Sequence, residues 1–280
     1  MNQSKQQGSL ENSISKRLEH EYKAAIQRCS DSLATLPVDK QNMPANPLLI
    51  SPSFEYPNAA LKIMYFGQET NGWEGVFRGS EYIDELMGLY DGFTNQGGGF
   101  NYGGQFWNAV RSFHSEFKFR QDKVSFIWNN LIKIGKAFDR GTPCKEVLKW
   151  QEHWCDVIRN ELIILRPNVV IFLSGPNYDW MISKIFSPVV FEPIDGYNLR
   201  EVARVKSDSL PLSSFRTYHP GYLYRFGFSG VRDYIVNTAI NEHRIDSPAK
   251  LDACSNLPAN SAINPEAEEL PWSDIRNLFS

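Results

Sequence analysis

Residues 61–71 read LKIMYFGQETN, a short apolar run closed by a glycine and followed by four polar side chains. A run of this length bounded by a turn residue fits a strand better than a helix. Three more runs of the same kind follow, at 124–128 (VSFIW), 168–174 (NVVIFLS) and 214–218 (SFRTY). Between the second and third, Thr142-Pro143 offers an N-cap and a first-turn proline. Val147, Trp150, Trp154, Val157, Ile158 and Leu162 then recur at helical spacing until Pro167. Strands separated by helices predict a central four-stranded parallel sheet flanked by helices, a three-layer α/β/α arrangement.

Outside this region the chain changes character. Residues 1–60 are expected to be a lead-in, with a helix over about 15–32 and then a loop-rich stretch broken by Pro37, Pro44, Pro47, Pro52 and Pro57. Residues 61–245 form the expected α/β domain. Residues 246–280 hold six acidic side chains against Lys250 and Arg276, a balance of −4, and read as an acidic tail.

The whole chain of 280 residues has a formal charge of −3 and a pI near 6.0, which alone disfavours a nucleic-acid partner. The average conceals two basic stretches. Residues 200–232 carry six basic and two acidic side chains, and residues 111–145 carry eight and three. The polar start (MNQSKQQGSLENSIS) predicts no signal peptide, and no apolar run approaches a membrane span of about 20 residues. The expected location is cytoplasmic. The four scattered cysteines form no C-x-x-C pair, so neither a metal nor another cofactor is expected.

Ligands of open parallel sheets bind beyond the carboxyl ends of the strands. After the four runs come Gly67-Gln68-Glu69-Thr70-Asn71, then Asn129-Asn130-Leu131-Ile132-Lys133, then Ser174-Gly175-Pro176-Asn177, and finally His219-Pro220-Gly221-Tyr222-Leu223-Tyr224-Arg225. A carboxylate, an amide and a histidine are thereby expected on one rim.

This pattern resembles the uracil-DNA glycosylase superfamily. Gly67–Asn71 is similar to its first motif, Gly-Gln-Asp-Pro-Tyr in the best-known branch. His219–Leu223 is similar to its second, His-Pro-Ser-Pro-Leu, and Asn130-Leu131-Ile132-Lys133 to its Asn-(apolar)-(apolar)-Lys segment. The resemblance implies a monofunctional DNA glycosylase that flips a pyrimidine from DNA and hydrolyses its N-glycosidic bond. It implies Glu69 and His219 as the catalytic pair, with Gln68, Asn71, Phe100 and Asn130 around the base. Tyr222, Leu223, Tyr224, Arg225 and Lys133 would contact DNA, and the enzyme is expected to be a monomer. The plain alternatives are a loop cap for Asn130, core packing for Phe100 and a core histidine at position 219.

Departures from the family pattern carry information. Glu69 stands where the family has Asp, and Asn71 where the uracil-selective branch has a tyrosine that presses on C5 of the base. Ile134 stands where iron–sulfur branches would have a cysteine. The segment 72–99 is long and carries Gly97-Gly98-Gly99, which fits a lid or an enlarged pocket wall. These departures suit a base larger than uracil, and the resemblance to the superfamily's anti-phage branch, which removes hypermodified cytosines, implies a C5-modified cytosine such as glucosyl-hydroxymethylcytosine in phage DNA as the expected substrate. The alternatives are uracil repair or a non-catalytic nucleic-acid-binding relative. No G-x-S-x-G elbow or Walker loop supports a hydrolase or nucleotide enzyme of another type.

Overall fold

Four mutually parallel strands form one side of the sheet, and each of the four runs supplies one. In the computed structural model, which describes residues 2–225 and 227–245, the strands are β1 (Leu61–Asn71), β2 (Val124–Lys136), β3 (Val169–Phe172), β4 (Val190–Glu192), β5 (Val202–Lys206) and β6 (Ser213–Thr217). Their order is β2-β1-β3-β6-β5-β4. The pairs β1–β2, β1–β3 and β3–β6 are parallel, whereas β5–β6 and β4–β5 are antiparallel.

The expected four-stranded parallel sheet is therefore corrected to a six-stranded mixed sheet. The two added strands were hidden because β4 is three residues long and β5 is short and interrupted by two basic side chains (VARVK), neither making a continuous apolar run. β1 and β2 also run past their apolar cores, so Glu69, Asn130 and Lys133 sit within strands rather than after them.

The helices are α1 (Asn2–Ala34), α2 (Ile83–Thr94), α3 (Gly98–Asn101), α4 (Gln105–Arg120), α5 (Lys145–Trp150), α6 (Cys155–Leu165), α7 (Asp179–Phe186), α8 (Pro220–Leu223) and α9 (Phe228–Ile245). The single helix expected after Thr142 is split. α5 begins after Cys144, a 3-10 turn occupies Gln151–Trp154, and α6 follows. Buried Gln151 accounts for the interruption, since its amide pairs with both the N–H and the C=O of Ile134 in β2. Helix α6 ends at Leu165 with Arg166 left-handed (φ 49°), because the residue before Pro167 is disfavoured in the helical region.

Side chains of β1 alternate between two helical layers. Tyr65 meets Phe113 of α4, which in turn meets Phe228 of α9. On the opposite face Phe66 stacks on Phe172 of β3 at 4.9 Å, and Phe172 meets Phe186 of α7.

Residues of the lead-in share one compact unit with the sheet. Tyr22 of α1 donates to Glu161 of α6 at 2.7 Å and accepts from the N–H of Ile50 at 3.0 Å. Lys133 of β2 pairs with the same carboxylate and donates to Leu48 O at 2.9 Å, while Asn129 donates to Glu161 Oε2 at 2.8 Å. Both charges of the pair are fully buried. Burial pulls the Lys133 ammonium below its usual range, and the Glu161 carboxylate opposes that shift. The acidic segment 246–280 lies outside the described residues. Among the described residues, no helix is long and apolar enough to cross a membrane.

Removing one partner of a buried ion pair leaves the other charge uncompensated, at a cost of about 3–5 kcal/mol. Lys133→Met should therefore lower unfolding stability by about that amount in urea titrations. Adding Glu161→Gln should recover most of the loss, because it removes the uncompensated charge while the amide oxygen still accepts from Asn129 and the amide nitrogen can donate to the Tyr22 oxygen.

Candidate functional site

Order reverses in the parallel part of the sheet between β1 and β3, and a cavity of about 570 Å³ opens at the carboxyl end beside that switch point. Gln68, Glu69 and Asn71 reach it from β1, Trp128 and Asn130 from β2, Arg140 from the loop after β2, and His219 from the turn after β6. Five of the residues singled out in the sequence thus line one space.

Parallel register explains how the amide arrives there. Gly67 lies opposite Asn130 and Glu69 opposite Ile132, so the Asn130 and Glu69 side chains leave the same face of the sheet. A Cβ on Gly67 would overlap Asn130 Oδ1, so glycine is what lets the amide lie against β1. Asn129, one residue earlier, points to the opposite face and is held by Glu161.

Asn130 is only 2% exposed, and its Oδ1 accepts from Trp128 Nε1 at 3.2 Å. An indole N–H can only donate, so it fixes which way the amide is turned. The Nδ2 group is buried with no partner among the described residues. A buried donor left unpaired costs about 1–3 kcal/mol, which an acceptor on a bound ligand would offset.

His219 accepts at Nδ1 from the N–H of Gly221 at 3.2 Å, which leaves the ring proton on Nε2. Burial lowers its pKa from the ordinary histidine range, so the ring is a neutral N–H donor at physiological pH. Glu69 is half-buried, and burial raises its carboxyl above the usual range. A hydrogen bond from Tyr178 and the nearby Lys136 ammonium oppose that rise.

The Tyr178 hydroxyl lies 2.5 Å from Glu69 Oε2 and 2.9 Å from Thr142 Oγ1. Gln68 donates to Ser174 O at 2.7 Å, tying β1 to the end of β3. Asn71 is exposed, with its Oδ1 accepting from the Gly141 N–H at 3.3 Å.

The other wall is aromatic. Trp73, Phe93, Tyr102, Phe106, Trp107 and Trp128 all line the cavity. Their rings meet mostly edge to face, with Trp107–Trp128 at 5.1 Å, Phe93–Trp107 at 5.2 Å and Trp73–Trp128 at 5.6 Å. The long segment 72–99 supplies two of these rings, Trp73 and Phe93, and so forms wall. A Cβ on Gly99 would come within 3.1 Å of both the Trp107 ring and the Phe93 carbonyl, so that glycine serves close packing.

Two expected DNA contacts are corrected. Lys133 is fully buried in its pair with Glu161, on the sheet face opposite the cavity, and Leu223 is fully buried in the core. Helical turning in α8 explains the second: Tyr222 and Tyr224 are 44% and 41% exposed while Leu223 between them faces inward. Arg225 is exposed. The side chain of Phe100 lies outside those described.

Tyr178, Trp128, Arg140 and most of the aromatic wall were not singled out in the sequence. The available signal was the 13% aromatic content and the position of Tyr178 directly after the polar turn Ser174-Gly175-Pro176-Asn177 that follows β3. No protein-family model matches the chain, and no curated protein matches it.

Chemically, a half-buried carboxylate can take a proton from water, a neutral imidazole N–H can stabilise charge growing on a carbonyl oxygen, and flat rings can hold a planar heterocycle. Because the folded-state pKa of Glu69 is raised, its protonated form stabilises the fold below its unfolded value, and that contribution is lost as pH rises through the folded value. The ionised carboxylate is thus a net cost at neutral pH. Glu69→Gln should raise the urea midpoint at about pH 7, with the gain shrinking toward about pH 4. Identical midpoint changes at both values would show that the carboxylate is not desolvated.

Proposed function

We propose that this chain is a monofunctional DNA glycosylase of the uracil-DNA glycosylase type, hydrolysing the N-glycosidic bond of a base flipped out of DNA. The observation that carries the reading is the convergence of Glu69, Asn130 and His219, from the ends of three strands, on one aromatic-walled cavity. The flipped base would lie against the aromatic wall, with the Asn130 amide pairing to its edge. Glu69 would orient a water on the C1′ side and accept its proton as oxygen bonds to carbon. The electrons of the broken C–N bond leave with the base. His219 Nε2–H would donate to the base carbonyl where that charge collects, and the departing base then takes a proton from solvent.

The favoured substrate is a C5-modified cytosine such as its glucosyl-hydroxymethyl form in phage DNA, which fits an anti-phage role. Two features support it. The short Asn71 side chain leaves space at the position where a tyrosine would exclude C5 substituents. A cavity of about 570 Å³ is also in the range that holds a ligand of drug size rather than a bare pyrimidine. Tyr222, Tyr224 and Arg225, all exposed beside His219, would meet the duplex, with Arg225 on phosphate. The protein would act as a monomer.

Oligonucleotides and phage DNA containing uracil, a thymine mismatch, hydroxymethylcytosine or its glucosylated form test this directly, with abasic sites read by alkaline cleavage. Release of the C5-modified cytosine is expected. Uracil release alone would return the protein to repair, and release of no base would make it a non-catalytic binder. Glu69→Gln should slow turnover by about 10²–10⁴-fold with DNA binding retained. Asn71→Tyr should penalise the glucosylated base more than uracil, and an equal loss on both would remove the selectivity assigned to this position.

A further inference from the structure

Tyr178 lies outside all three motifs that carry the family resemblance, yet its hydroxyl is hydrogen-bonded to Glu69. The hydroxyl has one proton, and the Glu69 carboxylate, having none to give when ionised, must receive it. Thr142 Oγ1 therefore donates to the tyrosine oxygen, and the chain of donors runs from Thr142 through Tyr178 to Glu69 Oε2. Donors in series strengthen one another.

The three groups come from separate places in the fold: β1, the loop after β2, and the 3-10 turn Pro176–Tyr178 that follows β3. The Tyr178 ring packs against the hydrophobic core, so its hydroxyl is a fixed point. Glutamate has one more rotatable bond than aspartate, and a free glutamate at the end of a strand would sample several rotamers.

We propose that Tyr178, oriented by Thr142, is a positioning residue for Glu69: it occupies Oε2 and leaves Oε1 to hold the attacking water. This rests on the assignment of Glu69 as the group that activates water. The clasp compensates for the extra methylene of Glu69 by fixing the longer side chain at its tip.

The clasp also acts on protonation. A hydrogen bond donated to an ionised carboxylate favours that form, so it holds down a pKa that burial raises. The other charged or titratable groups around the carboxylate are Lys136 from β2, Arg140 from the following loop, Glu74 beyond β1 and His219 after β6. None of these changes in a Tyr178→Phe variant, so a shift in that variant reports the hydroxyl.

The test combines two measurements on the full chain. Single-turnover release of base from a modified oligonucleotide is followed against pH, and the Glu69 carboxyl is titrated by carbon NMR in protein labelled at glutamate, with Glu69→Gln assigning the signal. Tyr178→Phe should slow release about 10-fold at neutral pH and move both the acidic limb and the carboxyl titration to higher pH, with DNA affinity unchanged. Thr142→Val, at an exposed position, should shift both in the same direction by less, and it serves alone if Tyr178→Phe does not fold.

A carboxyl titration that stays in place in the variants overturns the proposal. Loss of rate in Tyr178→Phe with an unmoved pH profile also overturns it, because a purely structural role would do that. If the titration moves but wild-type protein releases no base from any substrate, the clasp stands and the assignment of Glu69 to glycosidic hydrolysis falls.

Discussion

A single buried carboxylate, Glu161, ties the molecule together. It receives hydrogen bonds from Tyr22 in α1, Lys133 in β2 and Asn129 in β2, while Lys133 and Tyr22 also engage the backbone at Leu48 and Ile50. A charge taken out of water is tolerable only where such partners surround it. The requirement therefore fixes helix, strand and loop at one point. It also fixes the register of β2. A slip of one residue would exchange the faces of Asn129 and Asn130 and turn the cavity amide toward α6. Asn129 Oδ1 accepts from the N–H of Asn130 at 2.8 Å, so the ion-pair network reaches the first residue of the site.

The cavity face of the sheet obeys a different demand. Six aromatic rings pack around it without filling it, and Gly67 withholds a side chain where Asn130 needs room. The polar groups inside are turned by donors with no choice of role. Trp128 can only donate, which sets the Asn130 amide, and the Gly221 N–H can only donate, which sets the tautomer of His219. Orientation at this site is thus built into neighbours before any ligand arrives.

Charge needs a more exact account than net composition provides. Several cations in the two basic stretches are engaged internally. Lys133 pairs with Glu161, Arg216 with Asp179, Arg204 with Glu242, and Arg120 with Glu116. Arg140 at the cavity and Arg225 beside α8 have guanidinium groups with no partner among the described residues and remain open to an anionic partner. A basic count along the sequence thus overstates the positive surface, because ion pairing within the fold neutralises part of it.

The sequence by itself determined the parallel strands β1, β2 and β3, since buried strands read as largely apolar runs and LKIMYF, VSFIW and NVVIFLS, separated by helical segments, are such runs. It also determined that Glu69, Asn130 and His219 would meet, because residues just past strand cores gather on one rim. Short or charged strands at the edge of the sheet carry no such pattern, so β4 and β5 stayed hidden. Burial of Lys133 and Leu223 likewise depended on which face of β2 and of α8 turned inward. Only tertiary structure brought Tyr178 onto the Glu69 carboxylate, and Thr142, 36 residues before Tyr178, onto the tyrosine hydroxyl. Contacts of that kind arise from where loops land after the sheet has formed, and no local spacing in the chain encodes them.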